Sequence, residues 1–135
     1  MGAENATKIN PSKCKAVRLA RARVKDPLNY TLGDQLIPEM SSCKYLVIIL
    51  RSDLSWAYHV KYTVKKAWKA LHSIMCILKK GNSSTKSLAY TTLVRPFLEY
   101  GAACWDPYRD GQTHALDRVQ KKAAKFAYHT NESNW

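Results

Sequence analysis

Residues 56–80, WAYHVKYTVKKAWKALHSIMCILKK, carry the strongest structural signal in the chain. The apolar residues among them recur at three- and four-residue steps, which is the spacing of one face of an α-helix. They are Val60, Val64, Ala67, Trp68, Leu71, Met75 and Leu78. We therefore predict a long helix over 56–80, with Ser55 or Asp53 as its N-cap. Trp68 and Met75 are expected to pack in the core of the protein.

Helical periodicity continues beyond this stretch. The pair at 81–82, Gly-Asn, tolerates left-handed backbone and is expected to end the first helix. A second helix is predicted to begin at a cap formed by Ser84 or Thr85 and to bend at Pro96, whose ring clashes with the preceding turn. The predicted helices are 56–80, 84–104 and 112–128.

Upstream of residue 52 the apolar pattern changes to a period of two, which is typical of β-strands. Residues 30–37 predict a hairpin in which Gly33 occupies the first position of a type II′ turn. Residues 43–50 are apolar and β-branched and predict one buried strand. Residues 15–24 fit either a strand or a basic helix. Because strands precede helices, we predict an α+β fold: a small antiparallel β-sheet followed by a three-helix bundle.

The charge of the chain is strongly positive and uneven. The formal net charge is +12, and no acidic residue occurs between Asp53 and Glu99. Eight basic residues fall in that interval: Lys61, Lys65, Lys66, Lys69, Lys79, Lys80, Lys86 and Arg95. Such a surface favours a polyanion as partner, nucleic acid first and an anionic membrane second. A solvated basic face with no specific partner is the other interpretation.

The helical spacing groups some of these lysines. Lys61, Lys65 and Lys69 stand at four-residue steps, with Lys66 beside them. We predict that they project from the side of the helix opposite Val64, Trp68, Leu71 and Met75. Lysine is a point charge without base-reading geometry, so the expected contact is weak, sequence-independent binding of a duplex or hybrid.

The sequence lacks the usual catalytic and metal-binding patterns. The four cysteines form no CxxC pair, and the four histidines have no metal-ligand spacing. We therefore expect no cofactor, no metal site and no catalytic residues. The absence of a secretory hydrophobic segment favours reduced thiols and a nuclear or cytoplasmic location. The longest apolar run, 45–50, is too short to span a membrane.

Several segments resemble the reverse transcriptases of non-LTR retrotransposons, with jockey-like insect elements the most similar. Residues 9–15, INPSKCK, resemble the segment that follows the catalytic aspartates of those enzymes. Residues 43–46, CKYL, which lead into 48–50, resemble the next motif. The remaining similar segments are DLSW 53–56, KKA 65–67, LVRP 93–96, LEY 98–100, WDP 105–107 and LDRVQKKAAKF 116–126.

This resemblance implies a truncated RNA-directed DNA polymerase, consisting of the end of the palm and the thumb. The family's metal-binding aspartates lie upstream of the similar segments, so we expect no polymerase activity and only residual template–primer binding. The implied organisation is a polar N-terminal segment 1–14, an end-of-palm hairpin region 15–52 and a helical thumb-like region 53–135.

The resemblance also implies roles for individual residues. Lys13, or alternatively Lys15, would lie near the incoming nucleotide, and residues 44–46 would form the primer grip. Val47 stands where the family usually has glycine, which permits backbone that valine disfavours. The predicted nucleic-acid-binding residues are Lys13, Lys44, Tyr45, Leu46, Lys61, Lys65, Lys66 and Lys69.

A different class of function fits the same sequence. The chain would then be a non-catalytic α+β protein-interaction module or an inert relic of an element. Loss of the palm would expose the apolar surface that once packed against it, and self-association through that surface is expected.

Overall fold

A computed structural model describes residues 8–19 and 29–128, and the chain divides between Ser55 and Trp56 into two compact units. The first unit contains a 3-10 turn at Pro11–Lys13 and the strands β1 Tyr30–Leu32, β2 Gln35–Ile37, β3 Ser42–Tyr45 and β4 Ile48–Arg51. The second unit contains the helices α1 Ala57–Ile77, α2 Ser83–Ala89, α3 Arg95–Glu99 and α4 Asp110–Tyr128, with a π-helical turn at Tyr90–Val94. The predicted α+β class is confirmed.

The first hairpin has the predicted connection. Strands β1 and β2 pair antiparallel with Tyr30 opposite Ile37 and Leu32 opposite Gln35. Gly33 has a φ of 62°, while Asp34 is not among the residues with positive φ. Positive φ at the first turn residue alone is what a type II′ turn requires.

The prediction of one continuous buried strand over 43–50 is wrong. Strands β3 and β4 form a second hairpin in which Tyr45 pairs with Ile48, so only Leu46 and Val47 connect them. Both connecting residues have positive φ, 46° and 71°. That is the pattern of a type I′ turn, which usually contains Asn-Gly. The two hairpins form separate two-stranded sheets, where we predicted one sheet.

Residues 15–24 are described only in part. Ala16 forms an isolated parallel bridge with Glu39, in which the N–H of Ala16 donates to Pro38 and the N–H of Met40 donates to Ala16. Arg18 forms an ion pair with Glu39 at 3.2 Å. Residues 20–24, for which a strand and a helix were both open, lie outside the described residues.

Helix α1 builds the core of the second unit. Its fully or nearly buried residues Ala67, Leu71 and Ile74 pack with Val94, Leu98, Val119 and Ala123 from the other helices. Trp68 and Met75 pack against this cluster, as predicted. The predicted N-cap is wrong: Trp56 occupies the cap position, and Asp53 instead accepts hydrogen bonds from the N–H of Ser55 and from Arg51.

The link between α1 and α2 differs from the prediction in its capping. Gly81 does not adopt positive φ, and α1 ends at Ile77 with the N–H of Leu78 bonded to the carbonyl of Ile74. Asn82 caps α2, because its side chain accepts a hydrogen bond from the N–H of Thr85 at 2.8 Å. Asparagine is as good an N-cap as serine, so the cap lies two residues before the predicted Ser84.

The second predicted helix is broken and shorter than expected. Pro96 lacks an N–H, and the π-helical turn ends two residues before it, with the N–H of Arg95 bonded to the carbonyl of Tyr90. The helical segment ends at Glu99 rather than 104, since Gly101 adopts a φ of 67°.

Trp105 anchors the loop between α3 and α4. It is buried, its Nε1 donates to the carbonyl of Tyr100 at 2.9 Å, and its ring packs edge-on against His59 of α1 at 4.9 Å. Burial among these rings lowers the pKa of His59. This imidazole therefore serves packing as a neutral group.

Candidate nucleic-acid interface

Three of the predicted lysines form a continuous exposed row on α1, which we call the lysine row: Lys61, Lys65 and Lys69. Four residues of α-helix rise about 6 Å, so their Cα atoms follow one another along the helix at that interval. None of the three forms an ion pair with any residue in 8–19 or 29–128. The row therefore presents uncompensated positive charge to solvent.

We predicted that the lysine row lies opposite Val64, Trp68, Leu71 and Met75. That prediction is wrong for Val64 and Trp68. Lys61 and Lys65 line the same groove as Val64 and Trp68. Lys69 lines an adjoining groove, again with Trp68. The lysines point away from the fully buried Leu71, but Trp68 lies at the edge of the core and separates it from the row. The interface is thus a basic row along an apolar groove.

Lys66 lies on a different side of α1. It follows Lys65 by one residue, which is about 100° around the helix. Its Nζ lies 5.1 Å from the ring centroid of Tyr62 and 5.9 Å from that of Phe97 in α3. These cation–π contacts hold the half-buried ammonium away from the row. The structure does not bring Lys66 together with the other three.

Lys86 shows that the run of basic residues without acidic neighbours is not one surface. Its side chain is only 3% exposed, and its Nζ lies 4.7 Å from the ring centroid of Phe126 in α4. Sequence reasoning missed this contact, because nothing in the local pattern around residue 86 indicates an aromatic partner from α4. The aromatic ring compensates part of the buried charge.

The remaining predicted residues belong to the first unit. Lys13 ends the 3-10 turn, which Asn10 caps by accepting a hydrogen bond from the N–H of Ser12. Lys44 lies on β3, and Tyr45 and Leu46 follow at the tip of the second hairpin. Lys13, Lys44 and Asn10 are exposed, as are Tyr45 at 68% and Leu46 at 66%.

The described residues offer little for catalytic chemistry. In residues 8–19 and 29–128, no three His, Cys, Asp or Glu side chains converge to hold a metal ion. The four cysteines are free thiols, two of them exposed. Over the same ranges no helix is both long and apolar enough to cross a membrane. The lysine row can attract and hold an anion, and His72 and Cys76 line the groove beside Lys69.

Comparisons with known protein families, with curated proteins and with solved structures found no match.

Proposed function

We propose that the chain derives from the palm and thumb region of a non-LTR retrotransposon reverse transcriptase and binds nucleic-acid duplexes or hybrids without sequence preference. The observation that carries the binding is the lysine row: three exposed ammonium groups on one helical face, within a stretch that has no acidic residue from 54 to 98. Neutralising phosphates with lysines releases counterions, which supplies sequence-independent affinity.

The origin rests on the order of similar segments, from residues 9–15 to 116–126. The α+β class and the long basic helix suit the end of a palm followed by a thumb. In this proposal the chain holds a duplex and performs no polymerisation, because its similar segments exclude the family's metal-binding aspartates. Template-dependent primer extension by the purified chain with Mg²⁺ or Mn²⁺ would contradict it.

The test of the interface compares two variants of equal charge. One replaces the lysine row by glutamine, and the control replaces three exposed lysines of α4: Lys121, Lys122 and Lys125. Affinity for a labelled RNA–DNA hybrid is measured by fluorescence anisotropy across a salt titration.

The row variant is expected to lose about tenfold in affinity and to flatten the slope of log K against log salt by about 2–3 units, one per lost phosphate contact. The control variant is expected to change both quantities much less. Equal losses in the two variants would mean that net charge, rather than the lysine row, causes binding.

A second candidate function is protein interaction through the tip of the second hairpin. Tyr45, Leu46 and Val47 are consecutive and exposed, with Val47 at 45%. Consecutive exposed apolar residues favour association with an apolar partner, including a second copy of the chain. Such association should persist at salt concentrations that abolish nucleic-acid binding, and sedimentation in high salt measures it.

A further inference from the structure

The groove beside Lys61 and Lys65 has properties that charge alone does not explain. It runs between α1 and the start of α4 as an open groove with a volume of about 500 Å³, within the range of small-ligand pockets. Its apolar lining includes Val60, Val64 and Ala115, and Trp68 forms one end. A row of lysines that only tracked phosphates would not need an apolar groove with an indole beside it.

Gln112 supplies a second, independent observation in the same groove. Its side chain lines the groove, and its Oε1 is buried without a hydrogen-bond partner among the described residues. Buried polar groups in folded proteins are nearly always paired, so an unpaired acceptor calls for a ligand or another explanation. Because Oε1 is shielded from solvent, a ligand N–H group reaches this acceptor once the Gln112 side chain turns into the groove.

We propose that the groove binds an unpaired nucleobase, which stacks on Trp68 while the phosphates of its strand contact Lys61, Lys65 and Lys69. This inference rests on the proposed function and names the form of nucleic acid that the same interface prefers. The interval of about 6 Å between successive lysines is comparable to that between consecutive phosphates of one strand. Every base has a π face and at least one N–H donor, so both the indole and Gln112 accept any base.

The adjoining groove extends this site along α1. Trp68 lines both grooves, and the second continues past Lys69 to His72, Cys76 and Ile77. The lysine row follows the same direction. A single strand therefore has a continuous track with apolar surface for bases and ammonium groups for phosphates, which is the arrangement of sequence-tolerant single-strand sites. The charge complementarity favours this occupant over an apolar protein segment.

The experiment separates stacking from charge. The same hybrid duplex is prepared with a blunt end, with a short single-stranded overhang, and with an overhang of equal length made of abasic nucleotides. The two overhangs carry the same phosphates and differ only in their bases. We expect the natural overhang to bind about tenfold more tightly than the abasic one, which is the effect of one stacked base.

Variants assign the effect to the groove. Trp68→Leu should abolish the difference between the overhangs and leave abasic binding intact. Because Trp68 also packs against the core, Ala115→Leu provides a second route, filling the groove without removing an aromatic ring or a charge. Tyr128→Leu, at the far end of α4 and 79% exposed, is the matched control and should keep the full difference.

The outcomes distinguish this inference from the proposed function. Equal affinities for natural and abasic overhangs would overturn the inference and leave duplex binding intact. A preference that survives both groove variants would place the stacking site elsewhere and also overturn it. If no substrate binds at low salt, the proposed function fails, and the inference fails with it.

Discussion

The two hairpins of the first unit have connections of equal length and different turn chemistry. The first has Gly33 and Asp34, with positive φ only at the glycine. The second has Leu46 and Val47, both with positive φ. Glycine adopts this backbone without steric cost, whereas a residue with a Cβ is destabilised in it by about 1–2 kcal/mol. One turn is relaxed and the other is strained.

Strand pairing, and not turn propensity, therefore determines the conformation of the second turn. Pairing Tyr45 with Ile48 leaves two residues, and the right-handed twist of the strands then requires left-handed backbone at both. The half-buried side chains of Ile48, Ile49 and Leu50 favour that register. Val47 has the larger φ of the two residues, 71° against 46°.

The largest effect is expected from making the relaxed turn resemble the strained one. Gly33→Val should lower the free energy of unfolding of the first hairpin by about 2 kcal/mol, because a type II′ turn restricts that position to glycine. A Cβ at Gly33 meets no atom within 4 Å, so the cost is purely conformational. Amide hydrogen exchange of β1 and β2 measures it. Unchanged protection would show that this turn does not limit the hairpin.

The reverse change relieves the strained turn. Val47→Gly should stabilise the second hairpin by about 0.5–1 kcal/mol, since the relief of left-handed strain exceeds the entropy cost of glycine. Slower amide exchange in β3 and β4 is the expected result. Val47→Ala is the control, because alanine keeps the Cβ and therefore most of the strain. A loss of protection on Val47→Gly would contradict the assigned strain.

A smaller gain is expected at the first residue of the same turn. Asparagine tolerates left-handed backbone better than leucine, so Leu46→Asn should stabilise the hairpin by about 0.5 kcal/mol. It also removes an exposed leucine, so self-association should decrease. Urea unfolding and sedimentation measure the two effects separately. Stabilisation without any change in association would show that Leu46 does not contribute to self-association.

The smallest expected effect is a loss of stability of the second hairpin at low pH. The N–H of Ser55 and the guanidinium of Arg51 lower the pKa of Asp53, just after the second hairpin. A lowered pKa in the folded protein gives stability that is present above the unfolded value and is lost as the pH falls through the folded value. Between about pH 5 and pH 2, the second hairpin should weaken slightly more than the first. Exchange rates of Arg51 and Ser55 amides measure this, with Asp53→Asn as the pH-independent control.

The sequence predicts those parts of the fold that local chemistry controls. Seven apolar positions at helical spacing predicted α1, and Gly33 predicted the first turn. Leu46 and Val47 carry no turn signal, so the sequence predicts one strand where the structure has the second hairpin. Its geometry depends on pairing with residues that local propensity does not identify.

The candidate site also combines features that local spacing predicts with features that depend on the packing of separate helices. The four-residue spacing predicted that Lys61, Lys65 and Lys69 share a face, and they do. The groove beside them needs α4, and the contacts of Lys66 with Phe97 and of Lys86 with Phe126 need the packing of separate helices. No periodicity within α1 or α2 contains that information.

The burial of Lys86 has a consequence for covalent labelling of the protein. Amine-reactive esters acylate lysines that solvent reaches, which includes the lysine row but excludes a side chain that is 3% exposed. Acylation of Lys86 therefore counts molecules that have opened, whereas under the proposed function protection of Lys61, Lys65 and Lys69 by an added polyanion counts molecules that are occupied. A single peptide-mapping experiment thus reads conformational opening and occupancy from different lysines of one chain.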